Sequence, residues 1–115
     1  MTLNYTYLAN LAEQIPEIPP DSIVSRTIYS DDQVKAILFG FAAGQELSEH
    51  TSAQMAVLHF IQGEADLTLG DHSMSAQVGT WVHMPPRLPH SVYARTQVLM
   101  LLLMFKTSSS TEKQE

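Results

Sequence analysis

The sequence has no cysteine, and only six lysines and arginines stand against twelve aspartates and glutamates. Without thiols there is neither a disulfide framework nor a thiolate-bound metal, so stability has to come from packing. Any metal site has to be built from histidine, carboxylate or amide donors. The formal charge of −6 and the lack of a basic cluster argue against nucleic acid or an anionic membrane as partner. Long apolar runs are missing too. The longest, VLMLLLMF at 98–105, is far short of the roughly 20 residues that a membrane helix needs. The first residues show no basic start followed by an apolar stretch, so no export signal is read and a cytoplasmic protein is expected.

What is present is a series of short apolar or alternating runs, separated by the turn-forming stretches IPPD (18–21), SDD (30–32), LGDH (69–72) and MPPRLP (84–89). This spacing predicts an all-β domain, a sandwich or barrel of nine short strands. They are placed at 23–29, 33–41, 47–50, 54–61, 65–69, 72–76, 80–84, 90–94 and 97–105. A chain of 115 residues suits one domain. Residues 1–22 read as an N-terminal arm packed on the barrel. YLANLAEQI at 7–15 can form a helical turn, which Pro16, Pro19 and Pro20 then end. Residues 23–105 form the barrel, and the polar residues 106–115 a flexible tail.

The last strand is apolar at every position, whereas a half-exposed strand alternates. Both of its faces therefore need cover. One lines the barrel; the simplest cover for the other is a second copy of the chain, with the N-terminal arm as the alternative.

Two spaced motifs carry a resemblance. Gly44, His50, Ser52, Ala56 and Gly63 fall in the frame of the first cupin motif, and Gly79, Pro85, Arg87, His90 and Ala94 in that of the second. The chain resembles a small single-domain cupin, of the RmlC-like superfamily, which implies a double-stranded β-helix or jelly-roll barrel. In that family the first motif supplies two histidines and a glutamate to a divalent metal, and the second one histidine. Here His50 and His90 match, while Ser52 and Ala56 stand where the second histidine and the glutamate would be, and Arg87 and Ala94 replace the second motif's glycine and asparagine. EHTSAQMA also resembles a divergent subgroup of small cupins with an acidic residue before the alanine, here Met55.

Strand alternation puts Ser52, Ala56, Leu58 and Phe60 on the face that His50 takes, and His59 on the other. His72 falls in an exposed turn, and the direction of His83 is left open by the sequence. Three prolines give a rigid approach to His90. His50 and His90 offer two nitrogen donors for one Zn, Ni, Fe, Mn or Cu ion, fewer than the three or four of durable sites. Gln54 and Glu46 are the weak candidates for a third. The expected ligand pocket comprises Ser52, Leu58, Phe60, Met84, Arg87 and Met100, with Trp81 and Met104 adding apolar material and the Arg87 fork suited to a carboxylate or phosphate.

Three functions follow as expectations. The first is a homodimeric binding module holding a small organic ligand near His50 and His90. The second is a metal enzyme of dioxygenase or lyase type with a reduced ligand set. The third is a metal-free epimerase-like acid–base catalyst, for which no His–Asp pair is evident and Tyr93 has the parity opposite to His90.

Overall fold

The computed structural model describes residues 3–107. Nine strands form: β1 (Ile23–Ser30), β2 (Val34–Phe41), β3 (Glu46–His50), β4 (Met55–Gln62), β5 (Ala65–Leu69), β6 (His72–Ala76), β7 (Trp81–Met84), β8 (His90–Ala94) and β9 (Val98–Phe105). Each lies within one residue of its predicted limits. The helical turn before the prolines is a 3-10 turn, Leu11–Gln14, capped by the Asn10 side chain. Most of the predicted tail lies outside the described residues.

The strands form two antiparallel sheets, β1-β2-β9-β4-β7 and β3-β8-β5-β6. The order is that of a jelly roll, because sequence neighbours β2 and β3 lie in different sheets and β9 returns to sit between β2 and β4. Directly opposed residues share a face of the sheet. Across the larger sheet, Phe39–Met100–Phe60 and Ile37–Leu102–Leu58–Val82 are such rows. They face the core cluster, in which Phe41, Phe60, Leu67 and Ala94 have no exposed surface. The alternate rows, Leu38–Leu101–His59–Trp81 and Ala36–Leu103–Val57–His83, face outward.

That parity settles two positions. Trp81 is 61% exposed and His83 is also exposed, so Val82 and Met84 are the inward residues of β7. The sequence-based assignment of Trp81 to the barrel interior is thereby corrected: the turn before β7 sets the register that sends it outward. His59 faces outward, as alternation predicts.

The arm covers part of the outer face. A Cβ on Gly40 would come within 2.8 Å of Ile18 and 3.2 Å of Ile15, so the arm lies directly on β2 there. Leu38 beneath it has no exposed surface. Toward β4 and β7 the same face stays open at His59, Trp81 and His83.

Candidate functional site

His50 ends β3 and His90 begins β8, and the two are opposed in the sheet. This pairing depends on a bulge that alternation did not reveal. Leu47 pairs with Val92 and His50 with His90, so three steps along β3 match two along β8. The extra residue puts His50, rather than Glu49, beside His90. The rings meet edge to face with centroids 4.1 Å apart.

Each ring is held by its own strand end. Nδ1 of His50 donates to the Ser48 carbonyl at 2.7 Å, and Nδ1 of His90 to the Leu88 carbonyl at 2.8 Å. A carbonyl only accepts, so Nδ1 carries a hydrogen on both rings, and in the neutral form of each ring Nε2 keeps its lone pair. His50 is exposed; His90 is 7% exposed. Burial pushes the His90 pKa below the ordinary histidine value; the bond to Leu88 opposes this and neighbouring His50 adds to it. Nε2 of His90 has no hydrogen-bond partner among the described residues. A buried nitrogen of this kind normally finds one.

The loops that carry the pair are tied together. The Arg87 N–H donates to the Ser52 carbonyl at 2.6 Å, joining the segment after β3 to the proline-rich segment before β8. Arg87 is held at φ 68°, in the left-handed region that glycine takes without penalty. Its side chain is exposed and makes no ion pair; the ion pairs among the described residues are those of Arg95 with Asp66 and Glu64.

The remaining predicted residues separate into groups. Leu58, Phe60, Met84 and Met100 face the interior at 0–2% exposure, as packed core beneath the site. Ser52 is spent locally: its hydroxyl accepts from the Gln54 N–H at 3.1 Å. Glu46 sits at the other end of β3 opposite Tyr93, roughly 13 Å from His50 at the usual rise per residue. Among the described residues no three His, Cys, Asp or Glu side chains converge. Gln54, half-buried in the loop, is the remaining candidate. Two imidazoles fit a weak, open metal site and not a tightly held resident ion.

Of the lining that stays open, sequence reasoning named Met104 and missed Ile37, Phe39 and Leu102. Phe39, Leu102 and Met104 are half-buried against the core cluster, and Ile37, also half-buried, lies in the inward row of Leu102. Row parity from the strand register marks them, and that register was not available from one sequence. A separate open cleft of about 570 Å³ lies between the arm and β1, lined by Tyr5, Leu8, Leu11 and Tyr29 among others. It contains neither histidine.

Solved structures support the fold directly. A cupin superfamily protein from Desulfitobacterium hafniense superposes with a TM-score of 0.81 at 24% identity, over 91% of this chain and 95% of that one. A conserved protein of unknown function from Streptococcus pyogenes gives 0.80 at 25% identity, over 92% of both chains. An RmlC-like cupin from Shewanella frigidimarina gives 0.71 at 15% identity, over 76% and 79%. No family model and no curated protein matches the chain. The chain has the fold of a small cupin jelly-roll domain. Among the described residues no helix is long and apolar enough to cross a membrane.

Proposed function

We propose that the domain is a binding module holding a small organic ligand at the histidine end of the barrel, with His50 and His90 as polar anchors. The observation that carries this reading is the His90 ring, buried, fixed through Nδ1, with Nε2 unpartnered. Half-buried Ile37, Leu102 and Met104 supply apolar contact and the two Nε2 atoms supply directional acceptors, the mix expected of small-molecule sites. A metal enzyme needs a third donor, and among the described residues no His, Cys, Asp or Glu side chain joins the pair. An epimerase-like base needs an orienting acid, and both rings instead use backbone carbonyls. Native mass spectrometry of wild type and His50→Ala/His90→Ala tests the reading. A small organic adduct on wild type, lost from the variant, is expected; a metal adduct lost in the same way contradicts it.

We also infer that two copies associate through the open part of the outer face. Strands β4, β7 and β9 contain no Asp, Glu, Lys or Arg, in a chain of formal charge −6. A second copy meets the least repulsion there, and the face carries the apolar Leu101, Leu103 and Trp81.

A further inference from the structure

The innermost row at the histidine end of the larger sheet is Lys35–Met104–Ala56–Met84. Ala56 and Met84 belong to the core cluster and Met104 packs against it, so Lys35 stands on the inward face. It is half-buried. The row marks the end where β4 begins and β7 stops, and the loops from these strand ends lead to His50 and His90. Lys35 therefore starts from the same end of the barrel as the imidazole pair.

Lysine facing an apolar interior is uncommon unless its charge is paired or reaches water along its stem. The chain holds twelve carboxylates. None pairs with Lys35 among the described residues, where the ion pairs belong to Arg95. Lys106, by contrast, is engaged with Ser30 and the Asp31 carbonyl, and Arg26 with the Gln14 carbonyl. Arg87, at the same end, also makes no ion pair. Two cations without carboxylate partners among the described residues thus stand at the end of the barrel that carries the two imidazoles and an apolar lining.

We propose that the ligand is an organic anion, a carboxylate on an apolar body, whose charge is met by the Lys35 ammonium. The apolar body lies on Leu102 and Met104, and the histidine Nε2 atoms accept from its hydroxyl or amide groups. Recognition of the anion rests on the reading that the histidine end is the ligand site, and extends it to a chemical class. A charge-assisted contact of this kind is stronger than its neutral counterpart, by about tenfold in affinity for one contact.

The test is a titration with hexanoate and its uncharged analogue hexanamide, followed by the Met104 methyl and histidine imidazole signals in NMR. Wild type is expected to bind hexanoate about tenfold more tightly than hexanamide. Lys35→Met keeps the apolar stem and is expected to bind both equally. If Lys35→Met keeps the preference for hexanoate, or if wild type shows none while binding both, the lysine is a solvated side chain and the anion assignment falls while the ligand site stands. If neither compound moves the Met104 or imidazole signals, both readings fall.

Discussion

His50 and His90 face one another across β3 and β8 with ring centroids 4.1 Å apart, although 39 residues separate them in the chain. Each ring is anchored through Nδ1 to a carbonyl two residues before it in its own chain segment. With both rings neutral, the pair thus presents two Nε2 acceptors from fixed rings. Fixed acceptors favour a ligand by lowering what must be ordered on binding.

The buried member of the pair makes stability depend on pH. Unfolded, His90 takes up a proton near pH 6.5; folded, it does so only at lower pH, because burial disfavours its charged form. Between these values the unfolded chain binds more protons. Stability should fall as pH drops below about 6.5 and stop falling on this account below the folded pKa. Urea unfolding at pH 8 and pH 5 is expected to show a smaller loss for His90→Asn than for wild type.

Arg87 occupies a conformation that suits glycine. Arg87→Gly should relieve backbone strain of about 1 kcal/mol, set against a similar gain in unfolded-chain entropy. Thermal unfolding should find the variant within about 1 kcal/mol of wild type, whereas Arg87→Val, with a branched Cβ at positive φ, should be clearly less stable.

Gly40 tests how the arm is seated. Gly40→Ala drives a methyl into Ile18, 2.8 Å away, and should destabilise by about 1–3 kcal/mol. Adding Ile18→Ala should recover part of that loss, because it clears the collision. A double-mutant cycle in urea reads the coupling directly.

Trp81 is the only tryptophan and reports on the outer face. Its fluorescence should shift to shorter wavelength as protein concentration rises and two copies bury it. Trp81→Glu should hold the chain as a monomer in sedimentation equilibrium; a wild-type monomer at all concentrations contradicts the association.

The strand pattern was legible because turn-forming residues punctuate nearly every run, and the glycine, proline and histidine spacing carried the cupin resemblance. His50 and His90 were legible for the same reason. Their mutual geometry was not, since it depends on a bulge between Leu47 and His50 with no glycine to mark it. The pocket was misjudged in one respect. Residues such as Phe60 and Met100 share the inward face with Ile37 and Met104, and only the packing of the second sheet decides which are sealed. Lys35 was passed over because a lysine beside a turn reads as solvated until the register shows its inward neighbours Met104 and Ala56.

The most direct measurement of the central claim is the long-range proton–nitrogen spectrum of the five imidazoles, recorded above pH 7 with and without hexanoate. His50 and His90 are predicted to carry hydrogen on Nδ1 with Nε2 unprotonated, and their Nε2 signals to move on titration while those of the exposed His59, His72 and His83 stay in place. An Nε2–H form on either ring of the pair, or equal movement of all five, would contradict the account.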